Sequence, residues 1–101
     1  MNPAATGPVE LSVLVIDDDD DVIATITSAL NNMKQRVVRA RDTREGLERF
    51  HSACPDLVII NIDMPDASKF AAIQQLLELA PDLPIIVLAQ RSNTDDLLKA
   101  L

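Results

Sequence analysis

Four stretches of the chain are short, apolar and rich in β-branched residues: residues 11–16, 36–40, 56–62 and 84–89. None alternates strictly between apolar and polar positions. Continuous apolar runs of this length predict strands buried on both faces, as in a parallel sheet covered by helices. Between them lie longer segments with helical spacing. Residues 20–33 place Val22, Ile26, Ala29, Leu30 and Met33 on one stripe, and Asn31 and Asn32 are suited to end that helix with left-handed backbone angles. Asp42 and Glu45 have the spacing of a capping pair and open a second helix, with Leu47 and Phe50 turned inward. A third helix is predicted over 68–80, with Phe70, Ile73, Leu76, Leu77 and Ala80 inward. Ser92 or Asn93 caps a last helical stretch carrying Leu97, Leu98 and Leu101.

The resulting order is βαβαβαβα. Alternation with short connections predicts a doubly wound parallel sheet with right-handed crossovers. Residues 1–10 show no periodicity and are expected to form a flexible arm, leaving 11–101 as one domain. The second strand has Arg36 and Arg39 among its residues, which suits a sheet edge. Gly46 costs about 1 kcal/mol inside a helix, and close packing against the sheet would account for it.

Composition narrows the function. A net charge of −7 with scattered basic residues argues against a nucleic-acid surface. One cysteine, Cys54, excludes an internal disulfide and fits a reducing compartment; it is expected as a half-buried loop thiol. No apolar run reaches membrane-spanning length, and no signal-peptide pattern opens the chain, so a cytoplasmic protein is expected. His51, among polar neighbours, is expected at the surface, and Met64 as a packed turn residue.

The candidate chemistry sits where the first strand ends. Val13 to Ile16 run directly into five aspartates, Asp17 to Asp21. In open α/β sheets, ligands bind beyond the carboxyl ends of the strands. Two carboxylates held about 4 Å apart repel by roughly 4 kcal/mol at an effective dielectric of 20. Asp19, Asp20 and Asp21 read as a solvated helix start. Asp17 and Asp18 are open to two readings, more of the same or a site for a hard cation such as Mg²⁺.

Four segments together resemble the receiver (CheY-like) domain of bacterial two-component response regulators: VLVIDDD at 13–19, ARDTREGL at 40–47, PDLVIINIDMP at 55–65 and LPIIVLA at 83–89. The resemblance implies a flavodoxin-like fold, with this chain supplying a (βα)4 portion in strand order 2-1-3-4 and lacking the fifth βα unit. It implies Mg²⁺ at the acid pair matching Asp17 and Asp18, helped by the backbone carbonyl of Asp63. It also implies a phosphoryl-accepting aspartate ending the third strand and a hydroxyl ending the fourth.

The chain departs from that pattern at the reacting positions. Asn61 stands at the acceptor position and Ala89 at the switch position. An amide oxygen is a poor nucleophile, so an acyl phosphate is not expected at 61, and Mg²⁺ is expected to be weak or absent. Asn61 itself reads either as a neutral turn or ladder residue or as a weak residual ligand.

The expectation is therefore a degenerate receiver, not an enzyme, that signals by binding a protein partner: an output domain, a kinase or another regulator. Loss of a carboxylate at 61 also lowers repulsion around Asp17 and Asp18. An uncovered sheet face and an open fourth-strand edge predict a homodimer, or else a piece of a longer chain. Two alternatives are a conventional receiver phosphorylated on another acid such as Asp63 and a Mg²⁺-dependent phosphohydrolase. The latter lacks a glycine-rich phosphate loop, and Arg91 is its only nearby cation.

Overall fold

A computed structural model describes residues 10–65 and 68–89. Within them, four strands alternate with three helices: β1 (Ser12–Ile16), α1 (Asp20–Asn32), β2 (Arg36–Ala40), α2 (Thr43–Ala53), β3 (Leu57–Asn61), α3 (Lys69–Leu79) and β4 (Ile85–Leu88). The strands form one parallel sheet in the order β2-β1-β3-β4. The predicted flavodoxin-like (βα)4 layout is thus present through β4. The last helical stretch and residues 1–9 of the expected arm lie outside the described residues. Glu10 is described, and its carboxylate pairs with Arg36 at 3.1 Å.

The two-sided burial of β1 comes from period-2 alternation between two apolar clusters. Leu14 and Ile16 point to a cluster with Ala40, Val58, Ile60, Met64 and Leu76, against which Leu47, Phe50 and Ile73 of α2 and α3 pack. Val13 and Val15 point the other way, toward Ile23 and Ile59, with Ile26 and Leu30 of α1 alongside. A strand sandwiched in this way has no wet face, which explains why its sequence is continuously apolar.

Helix ends follow local chemistry. Asp19 caps α1, its carboxylate accepting from the Asp21 and Val22 amides at 2.9 and 3.3 Å. Asp42 caps α2 through the Glu45 amide at 2.8 Å, and Glu45 reaches back to the Arg41 amide at 2.7 Å. Asn31 and Asn32 remain helical. The left-handed residues are Lys34, with φ 61°, and Cys54, with φ 47° at the C-cap of α2. Cys54 is exposed and not half-buried, because that cap turns it outward just before buried Pro55.

Four expected inward residues face water: Ala29, Met33, Phe70 and Leu77. Met33 lies past the end of α1 and is 64% exposed, so the buried stripe runs through Ile23, Ile26 and Leu30 instead. In α3 the buried residues are Ala72 and Leu76, while Phe70 and Leu77 are exposed. Gln74, Gln75 and Glu78 mark its outer face, but the apolar arc opposite spans more than half of the helix, so periodicity alone does not exclude Phe70 and Leu77 at its edge. Small Ala72 turns inward beside Leu76. His51 is exposed and Met64 buried, as expected.

Gly46 explains itself in the structure. A Cβ built there would lie 2.5 Å from Ile16 Cδ1 and 3.0 Å from Ile16 Cγ1. Ile16 is 1% exposed and packs in the core cluster with Leu14, Ala40 and Ile60. Gly46→Ala is therefore expected to lower the unfolding free energy by up to about 2 kcal/mol, the overpacking cost of about 1–3 kcal/mol being offset by roughly 1 kcal/mol of gained helix propensity. Ile16→Val, which removes the clashing methyl group, should recover part of that loss in the double variant. Urea denaturation of the four proteins checks this; a Gly46→Ala chain more stable than the parent would contradict it.

Candidate functional site

The site is built where β1 and β3, adjacent in the sheet, both end. The backbone amide of Asp17 still belongs to the sheet and donates to the Ala40 carbonyl at 3.0 Å. This ladder bond fixes the residue just beyond the last apolar position. Asp17 is 1% exposed and Asn61, the last residue of β3, is 4% exposed. Side chains this buried must find partners.

They find each other. The Asn61 side-chain nitrogen donates to both Asp17 carboxylate oxygens, at 3.2 and 3.1 Å. The Asn61 side-chain oxygen accepts the Asp63 amide at 2.7 Å. The Asp17 carboxylate also accepts the Asp19 amide at 3.0 Å. These contacts orient the amide unambiguously, since turning it over would set its oxygen against a carboxylate and its nitrogen against an N–H. A hydrogen bond to a charged acceptor is worth about 1.5–3 kcal/mol, more than a neutral pair.

The two acids of the pair differ sharply. Asp17 is buried and hydrogen-bonded, whereas Asp18 is exposed and makes no hydrogen bond or ion pair among the described residues. Asp18 opens instead on a cleft of about 430 Å³, lined with Arg41, Thr43, Arg44, Met64 and Ser68 among others. Asp20 pairs with Arg41 at 3.0 Å, both ends well exposed, so the bridge adds little stability. Ala89 follows β4 and is exposed. With Leu88 and with Asp21, Val22, Thr25 and Ile26 of α1 it lines an open, mainly apolar groove of about 370 Å³.

The arrangement does not fit a Mg²⁺ ion as it stands. One N–H of the Asn61 amide is aimed between the two Asp17 oxygens that a cation would need. The amide oxygen is committed to the loop. Among the described residues, no group of three or more His, Cys, Asp or Glu is placed to hold a metal. Asp17 and Asn61 are thus brought together, Asp63 joins them through its backbone amide, and Asp18 and Ala89 border the site without touching that network.

One participant escaped the sequence. Lys69, the first residue of α3, is half-buried, and its ammonium donates to the carbonyls of Ile62 and Met64, the latter at 3.0 Å. The only signal for it is electrostatic: a cation in the first turn of a helix opposes the helix dipole.

Comparison with known proteins agrees with this architecture. A family model described as the response regulator receiver domain matches residues 13–101. The transcriptional regulatory protein PrrA of Mycobacterium tuberculosis is 33% identical over 96 residues, covering 95% of this chain and 41% of that protein. Protein-glutamate methylesterase/protein-glutamine glutaminase 1 of Myxococcus xanthus is 37% identical over 93 residues, covering 90% of this chain and 27% of that one. The chain therefore spans about two-fifths or less of the length of these curated relatives.

Among solved structures, a response regulator receiver domain protein from Clostridium thermocellum superposes with a TM-score of 0.78 at 27% identity, covering 89% of this chain and 73% of that one. The chemotaxis response regulator CheY4 of Vibrio cholerae reaches 0.77 at 22% identity, a likeness of fold, covering 87% of this chain and 75% of that one. With the family model spanning nearly all of it and the same sheet order observed, this chain belongs to the response regulator receiver domain family of two-component signalling.

Proposed function

We propose that this receiver signals through protein contacts and accepts no phosphoryl group at position 61. Receiver domains interact with kinases and output domains, and they commonly bind Mg²⁺ at the phosphorylation site. The observation that carries the proposal is the bridge from the Asn61 amide to Asp17. An acyl phosphate needs an anionic oxygen as nucleophile, and an acid next to Asp17 needs a cation to offset the repulsion. The amide supplies neither need and requires neither. It gives Asp17 one N–H, shared between both carboxylate oxygens, where a metal ion would otherwise stand. We assign no enzymatic turnover to the chain, and we place it in the cytoplasm. No helix among the described residues is long and apolar enough to cross a membrane.

The partner proposed for the sheet edge is a second copy of the chain. The two outer strands differ in a way that favours this. β2 carries Arg36 and Arg39, both exposed, which discourage pairing. β4 reads IIVL, carries no charge, and leaves Ile86 47% and Val87 43% exposed. The apolar groove between α1 and β4 adjoins this edge.

Three outcomes are expected. First, incubation with a small acyl-phosphate donor and Mg²⁺ leaves the intact mass of the chain unchanged; a stoichiometric phosphoryl adduct on Asp63 or any other acid would overturn the proposal. Second, in metal-free buffer Asn61→Ala lowers the unfolding free energy by about 1–3 kcal/mol, because buried donors and acceptors lose partners. Asn61→Asp lowers it by more, about 3–5 kcal/mol, because it sets an uncompensated charge against Asp17. Urea denaturation that ranks Asn61→Asp as stable as the parent would contradict the bridge. Third, sedimentation velocity shows a dimer that Ile86→Lys converts to monomer; a parent chain that stays monomeric at high concentration rules the edge pairing out.

A further inference from the structure

We infer that Lys69 is a positioning residue, a tethered cation that holds residues 62–64, just after β3, in one setting beside Asn61 and Asp17. Asp63 lies between Ile62 and Met64, whose carbonyls both accept from the Lys69 ammonium. The Ile62 and Met64 side chains are buried, at 5% and 2% exposure, so the backbone that carries them is drawn against the core. Carbonyls held there need donors.

The amides nearby are already committed. The Ile62 amide donates to the Leu88 carbonyl at 2.9 Å, and the Asp63 amide to Asn61. An ammonium with three donors, brought in from the next helix, meets the need.

Its placement is otherwise unfavourable. Lys69 opens α3, where the dipole disfavours a cation by about 0.3–1 kcal/mol. Ser68 before it makes no side-chain capping bond. Half-burial also costs a lysine both side-chain freedom and hydration. The two carbonyls are what offset these terms.

The result is one connected path: Lys69 to the loop carbonyls, the loop to the Asp63 amide, that amide to Asn61, and Asn61 to Asp17. Backbone carbonyls of this kind are also what a hard divalent cation would seek. Here a covalently attached charge occupies two of them. It cannot dissociate, so the loop keeps its setting in metal-free solution and in Mg²⁺ alike. This goes beyond the proposed function and does not depend on whether any acid is phosphorylated.

The test uses the whole chain, labelled with ¹⁵N. In the parent, the Lys69 ammonium protons exchange with water on the order of tenfold more slowly than those of exposed Lys34. About 10 mM Mg²⁺ leaves them unmoved. Exchange as fast as that of Lys34, or displacement by Mg²⁺, would overturn the inference, and this measurement needs no variant. In Lys69→Met, which keeps the alkyl stem and loses the charge, the Asp63 amide exchanges at least about tenfold faster while the Leu14 and Ile60 amides in the core are unchanged. An Asp63 amide as protected as in the parent would also overturn it. A phosphoryl adduct on the parent, with Lys69 still protected, would instead remove the proposed function and leave this inference standing.

Discussion

The buried amide of Asn61 is the contact on which the rest of the site depends. It faces a carboxylate on one side and a backbone N–H on the other, and it satisfies both at once. Few side chains have this pairing of donor and acceptor on one short rigid group. A carboxylate at the same place would match the N–H but repel Asp17. An apolar residue would match neither. The choice at position 61 therefore decides whether the ends of β1 and β3 hold together on their own or need a positive ion between them.

The sheet makes that choice consequential. β1 and β3 are hydrogen-bonded neighbours with residues buried toward both helical layers. Their ends are delivered with little freedom to move apart. Asp17 is held by a ladder bond to Ala40, and Asn61 by the last register pair with Leu88 of β4. Packing of this density cannot absorb a charge clash by a small shift. The tight fit of Gly46 against Ile16, on the layer facing α2, reflects the same rigidity.

Much of this was legible in the sequence, for physical reasons that differ by element. The strands could be placed because runs such as VLVI and DLVIINI are too apolar for any exposed position and end at Asp, Asn or Pro. The caps at Asp19 and Asp42 follow from side chains that compete for backbone N–H groups. The faces of α1 and α3 were harder. Ile23 is the most buried residue of α1, yet the neighbouring Val22 fits an equally good stripe. α3 has a polar face at Gln74, Gln75 and Glu78, but its apolar arc is wide, so the neighbours it meets decide that Ala72 faces in and Phe70, at the edge of the arc, out. The meeting of residue 61 with the first acid came from family resemblance, since 44 positions separate Asp17 from Asn61. The part played by Lys69 was invisible, because its partners are carbonyls and a sequence does not say where carbonyls point.

The proposed role of the Asn61 amide, standing in for a cation, is tested most directly by thermodynamic linkage. A ligand that binds only the folded chain raises its stability by about 2.7 kcal/mol at a hundredfold excess over Kd. Unfolding free energies measured with chelator and across a Mg²⁺ series should be the same for the parent at every concentration, while Asn61→Asp, with its carboxylate restored beside Asp17, should gain stability as Mg²⁺ rises. A parent chain whose stability climbs with Mg²⁺ as steeply as that of the variant would contradict the account.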